Sequence, residues 1–205
     1  MGFYVERVLP RIVDVVCGMR SMVPHRQRVN AGLHGRVVEL GFGSGLNVPH
    51  YPPAVTSVAA VEPADVGWEL AAERVREATV SIERVGLDGQ SLPLPDDSCD
   101  TALSTWTLCT IPDVTAALQE VRRVLRPGGT FHFVEHGLAP DDKVRRWQHR
   151  LDPVQQRVFG GCHLTRPIGD LLTDAGFAVA ELDTFYDKGT PKTLGAFSLG
   201  VAVSP

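Results

Sequence analysis

The residues with the clearest chemical use lie in the first third of the chain. The run Val37-Val38-Glu39-Leu40 stops abruptly in Gly41, Gly43 and Gly45, with Phe42 and Ser44 between them and Leu46 and Asn47 after them. A short run of this kind reads as a buried parallel strand, and glycines at alternate positions read as a turn in which backbone comes very close to a ligand. A second apolar run, Val58 to Val61, ends in Glu62 and Pro63. Strand, glycine loop, helix, strand and acid is the layout of a site for a nucleoside with two ribose hydroxyls, because one carboxylate can accept from both. The constellation points to a cofactor-using enzyme.

The elements that must position these groups are legible from periodicity. Strand candidates fall at 36–40, 56–62, 79–85, 100–106, 130–136, 178–185 and 196–203, with helical stretches near 65–77, 113–125, 141–158 and 167–175. Strands alternating with helices predict a doubly wound, mostly parallel sheet with helices on both faces. Pro49, Pro52 and Pro53 leave room only for a short helix after the glycine loop. In Arg126-Pro127-Gly128-Gly129 the proline is expected to stop the preceding helix at Leu125 and the glycines to supply positive φ for the reversal. The last two strands are joined by a short polar loop with Gly189, Pro191 and Gly195, so they are expected to form an antiparallel hairpin. Tyr4, Val8, Ile12, Val15 and Met19 recur at helical spacing, with Pro10 set to kink or restart the helix. Residues 1–30 are thus a helical extension before a single domain at 31–205. The extension reads either as plain packing or as a lid over the site; a third reading is a weak peripheral contact with a membrane surface.

Bulk properties exclude several classes. The 205 residues suit one domain with a full core, and 43% hydrophobic with 21% charged residues is ordinary for a soluble globular protein. Net charge is −4, without the basic face of a nucleic-acid binder, and Arg122-Arg123 and Arg145-Arg146 read as solvated helix faces. Cys17, Cys99, Cys109 and Cys162 form no CxxC pair, so neither a zinc site nor a disulfide framework is expected, and a reducing cytoplasm fits best. Glu6 and Asp14 interrupt the N-terminal apolar residues, which argues against a signal peptide, and no apolar stretch approaches the ~20 residues needed to span a bilayer.

The G-x-G-x-G spacing followed by Leu46 differs from the G-x-G-x-x-G of dinucleotide sites, and a Tyr-x-x-x-Lys proton donor is missing. Glu39 to Gly45, then Glu62-Pro63, then Leu87 to Asp96 (LDGQSLPLPD), then Arg126-Pro127-Gly128-Gly129 together resemble the class I methyltransferases that use S-adenosylmethionine and release S-adenosylhomocysteine. The resemblance runs from about residue 30 to 203. It implies a Rossmann-like, seven-stranded, three-layer α/β/α fold with an antiparallel last strand. Gly41, Gly43, Ser44, Gly45 and Asn47 would then meet the cofactor's methionine and ribose portions. Glu39 would attract its ammonium group, Glu62 its ribose hydroxyls, and Asp88 its adenine amino group. Gly89 and Gln90 would frame the ring, and Thr105, Trp106 and Leu108 would pack against the adenine and the methionine chain.

On the acceptor side, Trp106-Thr107-Leu108-Cys109, Glu135-His136-Gly137 and an insertion at 145–167 reach the carboxyl edge of the sheet, where ligands of parallel sheets lie. Trp147-Gln148, Leu151-Asp152-Pro153-Val154 and Gly161-Cys162-His163-Leu164-Thr165-Arg166 resemble the branch that contains the mammalian alkyl thiol methyltransferases. The hydrophobic membrane anchor of those members is not matched at this N-terminus, so membrane residence does not carry over. The resemblance implies a small-molecule acceptor, a thiol first and an amine or hydroxyl of a lipid headgroup, quinone-type ring or other metabolite second. A cofactor-binding module without catalysis is the reading from another class. His136, His163 and Arg166 are the candidates for raising the thiolate fraction. His132, His136, Cys162 and His163 lack the spacing of metal ligands, so no metal is expected.

Overall fold

Alternating apolar runs and amphipathic stretches build one mixed sheet. The protein is described by a computed structural model covering residues 3–86 and 88–205; Leu87, which opens the Leu87–Asp96 motif, and residues 1 and 2 of the extension lie outside the described residues. Among the described residues seven strands pair: β1 Gly35–Leu40, β2 Val55–Val61, β3 Ser81–Gly86, β4 Cys99–Thr105, β5 Leu125–His136, β6 Ala178–Tyr186 and β7 Ala196–Val203. Their order is β3-β2-β1-β4-β5-β7-β6. β1 to β5 run parallel, and β7 lies antiparallel between β5 and β6. The strand order reverses between β1 and β4, so the crevice outside their carboxyl ends is the natural ligand position.

Helices α3 Asp65–Arg76, α4 Val114–Val124, α5 Asp142–Val158 and α6 Ile168–Asp174 follow the strands, and α1 Leu9–Cys17 and α2 Val23–Asn30 precede them. α4 and α6 cover one face, where Val38, Leu40, Ala102, Phe131 and Phe133 meet Leu118, Val121, Ile168 and Leu172. α2 and α3 cover the other, through Val29 and Leu33 against Val37, Val58, Leu103 and Val134, and through Ala71 against Phe42 and Ala60. This is the expected three-layer, Rossmann-like fold with an N-terminal helical extension. Pro10 does restart the helix: a π-helical turn, Tyr4–Val8, gives way to α1 with the proline in its first turn. The expected short helix after the glycine loop is a single 3₁₀ turn, Val48–His50.

Two expectations need correction. α4 ends at Val124, and Leu125 already pairs with Cys99 as the first residue of β5. The Arg126–Gly129 segment is an excursion within that strand, and Gly128 alone of its two glycines takes positive φ, +77°. Arg123 is also more than a solvated cation. It donates to the Leu92 and Leu94 carbonyls at 2.9 and 2.8 Å and pairs with Glu120 and Asp96, which clamps the 92–96 loop onto α4.

Candidate functional site

The parallel register brings the site residues to one edge. Leu40 lies level with Val61 and with Ser104, and Thr105 lies level with Val134. Gly41, Glu62, Trp106 and Glu135 therefore cluster at the carboxyl ends of four strands. The two-residue period of a strand then sorts them by face. Glu39, Thr105, His132 and His136 point to the α2 side; Ser104 and Glu135 point to the α4 and α6 side.

Gly41, Gly43 and Gly45 have φ of +63°, +58° and +74°. At Gly41 a Cβ would also overlap the Thr107 side chain, so both conformation and space demand glycine there. The Glu62 carboxylate is buried and accepts from the Gly43 and Ala64 backbone N–H groups at 2.7 and 2.8 Å. Gly67, in the first turn of α3, lets that helix lie close over it. Burial raises the Glu62 carboxyl above its ordinary range, while the two backbone donors pull it back.

Glu39 is buried at 1% exposure. It accepts from Asn47 Nδ2 at 2.7 Å and from the Tyr51 hydroxyl. Burial pushes this carboxyl up to about 7 against these donors. Above it lies a buried cation absent from the sequence reading, Arg26 of α2. Its Nη1 donates to Asn47 Oδ1 at 2.8 Å and to Thr105 Oγ1 at 3.2 Å, and its guanidinium lies 4.9 Å from the Trp106 ring centre. Arg26 Nε, Asn30 Oδ1 and Trp106 Nε1 are buried without hydrogen-bond partners. α2 is docked by His25, which meets Asp187 at 2.8 Å and packs against Phe185 and Phe197.

These features fit S-adenosylmethionine. A buried acid and a buried guanidinium with an unused N–H suit the ammonium and carboxylate of an amino acid, and the Glu62 carboxylate beside the glycine loop suits a ribose. In the loop expected to meet the adenine, Asp88 Oδ1 accepts from Gln90 N at 2.8 Å and Gln90 Nε2 at 3.0 Å, and Gln90 Oε1 accepts from Asp113 N, the cap of α4. Gly89 lies over Ile111 and Leu40, and Pro63 joins Glu62 to α3. Ser44 is buried and its carbonyl accepts from Arg74 at 2.8 Å. Leu108 differs from expectation: it is packed in the core cluster beneath α4 and α6, and its carbonyl serves Arg166.

A cavity of about 200 Å³ opens beside this cleft. Val13, Val16, Cys17, Met19 and Met22 of the extension wall one side; Gln155, Phe159, Thr190, Leu194 and Phe197 wall the other. Its polar end carries Trp106, Cys109, Thr110, His136 and Cys162. Trp106 sits at φ +53°, a strained conformation for a bulky residue, and holds it with its N–H on the Val134 carbonyl at 2.8 Å. Glu135 organises the loop beneath. Fully buried, it accepts from Ser104 Oγ at 2.6 Å, Thr107 N at 3.0 Å and Cys109 N at 3.3 Å.

Of the three candidates for assisting the acceptor, His136 alone lines this cavity. His163 is turned to Gln156 and Asp152, at 3.0 and 3.3 Å, and Arg166 spends its guanidinium on the Leu108 and Ile111 carbonyls. Both join the 161–166 loop to the 106–111 loop, because His163 N also donates to the Cys109 carbonyl at 2.8 Å. Of four side chains whose sequence spacing shows no metal-ligand pattern, His132, His136, Cys162 and His163, the structure brings only two together. His132 and His163 stay apart, His132 on the Val29 carbonyl under α2, but Cys109, His136 and Cys162 meet. The Cys109 and Cys162 sulfurs are 3.4 Å apart, and sharing a proton with its neighbour raises Cys109 and lowers Cys162.

Comparison with known proteins agrees with this geometry. Residues 38–133 match the methyltransferase domain family. Thiol S-methyltransferase TMT1B of Rattus norvegicus is 34% identical over 152 residues, 72% of this chain and 62% of that protein. Phosphatidylethanolamine N-methyltransferase of Cereibacter sphaeroides is 34% identical over 137 residues, 61% of this chain and 63% of that protein. The chain thus spans less than two thirds of the length of these curated relatives. The solved S-adenosylmethionine-dependent methyltransferase of Mesorhizobium loti shares the fold, with a TM-score of 0.65 at 21% identity over 91% of this chain and 99% of that one. The glycine loop, the acid after β2 and these matches set the chain beside the S-adenosylmethionine-dependent methyltransferases: residues 38–133 match the methyltransferase domain, and thiol S-methyltransferases are among the proteins it is similar to.

Proposed function

We propose that the protein methylates a small thiol, a lipophilic one or hydrogen sulfide, giving a methyl thioether. The observation that carries this reading is the cavity itself: apolar walls of Val16, Met22, Phe159 and Phe197 lead to a polar end made of Cys109, His136 and Cys162. Such walls suit a soft, poorly hydrated nucleophile better than a strongly hydrated ammonium. The bound cofactor supplies an electrophilic methyl group on a sulfonium. The chain's own task is to bind, align and dry. Glu39, Asn47 and Arg26 would hold the amino-acid end, Glu62 and the Gly41–Gly45 loop the ribose, and Asp88 to Gln90 the adenine. Thr105 and Trp106 would fix the face presented to the acceptor. A simple thiol is already a few per cent thiolate at neutral pH, so His136 needs only to favour that form. His163 and Arg166 act as positioning residues by tying the two loops together. Residues 1–30 serve as the lid of the domain 31–205, since α1 and the turn after it form one cavity wall.

A panel of acceptors with labelled cofactor tests this reading. Dithiothreitol, hydrophobic thiols and sulfide are expected to be labelled above amines and phenols at pH 8. Labelling of amines or hydroxyls alone would replace it with the second reading, N- or O-methylation, which the phosphatidylethanolamine N-methyltransferase relative favours. Turnover of any acceptor excludes a silent binding module.

A further inference from the structure

The Cys109, His136 and Cys162 cluster has the dimensions of a metal site. The two sulfurs are 3.4 Å apart, and His136 Nδ1 lies 3.7 Å from each. Tetrahedral zinc with Zn–S of about 2.3 Å and Zn–N of about 2.0 Å places two sulfurs about 3.8 Å apart and sulfur and nitrogen about 3.5 Å apart. A shift of a few tenths of an ångström in each side chain therefore closes the triangle around an ion. The three residues are far apart in sequence, on the loop after β4, the end of β5 and the loop after α5. The fold holds them together with bonds that the ligand atoms do not use. Glu135 accepts from Cys109 N, His163 N donates to the Cys109 carbonyl, and Arg166 donates to the Leu108 carbonyl. Phe197 packs edge-on against the His136 ring at 5.2 Å. Two thiolates and a neutral imidazole cancel the charge of a divalent ion, which suits an apolar surrounding. Sulfur and imidazole donors select a soft or borderline ion such as zinc over magnesium or calcium.

We propose that Cys109, Cys162 and His136 bind one zinc ion, and that its fourth position faces the cavity and takes the acceptor thiol. The acceptor half of this proposal rests on the thiol reading above; the metal half does not. Coordination converts the thiol to a zinc-bound thiolate and releases its proton to water. The thiolate sulfur then forms a bond to the methyl carbon with its own electron pair, while the bond from that carbon to the sulfonium sulfur breaks and its pair stays on the departing thioether. The methylated product is a neutral thioether, a far weaker ligand than a thiolate, so water displaces it and the zinc returns to its starting state.

The test is titration of zinc, and separately of cobalt(II), into the reduced, metal-free full chain. One ion per chain is expected, with an intense near-ultraviolet thiolate-to-cobalt band. Cys109→Ser, Cys162→Ser and His136→Ala should each weaken binding by at least about tenfold, and Cys99→Ser, whose thiol lies at the start of β4, should not. Circular dichroism and binding of S-adenosylhomocysteine check that each variant is folded. Zinc uptake no greater than that of the Cys109→Ser/Cys162→Ser double variant, or a cobalt form without the thiolate band, overturns the site. Adding dithiothreitol to the cobalt form should shift its visible spectrum. An unchanged spectrum overturns the acceptor half alone, and a failed thiol panel with stoichiometric zinc overturns the thiol reading while the metal site stands.

Discussion

The guanidinium of Arg26 lies over the indole of Trp106 at 4.9 Å, joining the helical extension to the loop after β4 at the mouth of both cleft and cavity. Arg26 is 5% exposed and its Nε has no partner. A buried cation with a spare donor is costly unless an anion completes it. Arg26→Leu should therefore weaken S-adenosylhomocysteine binding by about 1.5–3 kcal/mol, the range for a hydrogen bond to a charged group. Arg26→Lys should recover only part of this, because one ammonium nitrogen cannot replace a guanidinium whose Nη1 serves Asn47 and Thr105, whose Nη2 serves the Cys17 carbonyl and whose Nε is left over. Titration calorimetry on both variants checks the order.

Glu62 should discriminate the ribose. Glu62→Ala is expected to lower cofactor affinity by roughly 1.5–3 kcal/mol, and 2′-deoxyadenosyl analogues should lose most of their penalty in that variant. Binding of the natural cofactor unchanged by the substitution would remove Glu62 from the site. The variant should also melt earlier, since the Gly43 and Ala64 N–H groups lose their acceptor.

Glu39 predicts a pH dependence of defined sign. Burial raises its carboxyl from 4.5 to about 7. Between these values the native chain holds a proton that the unfolded chain has lost, so the stability contributed by this group is full below about 4.5 and is lost as pH rises through about 7. The melting temperature of wild type relative to Glu39→Gln should therefore fall as pH rises across that window. The cofactor's ammonium requires the ionised form, so binding at pH 6 should release a proton in wild type and none in the variant. Calorimetry in buffers of different ionisation heat measures that proton, and equal release in both proteins would contradict the assignment.

Gly41→Ala should destabilise the fold by about 1–3 kcal/mol, the cost of a strained backbone residue, and should abolish cofactor binding through displacement of Thr107. Urea denaturation gives the first quantity and calorimetry the second. Native stability with retained binding would show that the loop tolerates a Cβ.

Sequence periodicity by itself determined the seven strands, the hairpin that ends the sheet and the edge where the candidate residues gather. These follow from local forces: apolar runs of strand length, glycines that permit positive φ, and prolines that end helices. The glycine loop was legible for a related reason, since Gly41 to Asn47 form one local turn after one strand. Tertiary structure alone decided what lies opposite them. Arg26 carries no local signal, because its helix shows no amphipathic pattern that marks a buried arginine. Its burial follows from the docking of α2 through His25 onto the β6–β7 side of the sheet. Leu108 and Trp106 stand two residues apart, yet the positive φ at Trp106 sends one toward the cavity and the other into the core. Cys109 and His136 are brought together by the parallel pairing of β4 with β5, and Cys162 is carried to them by the loop after α5, where His163 N donates to the Cys109 carbonyl. Spacing along a chain reports neighbours on one element, whereas the convergence of three elements depends on the register between strands and on the loop docked against them.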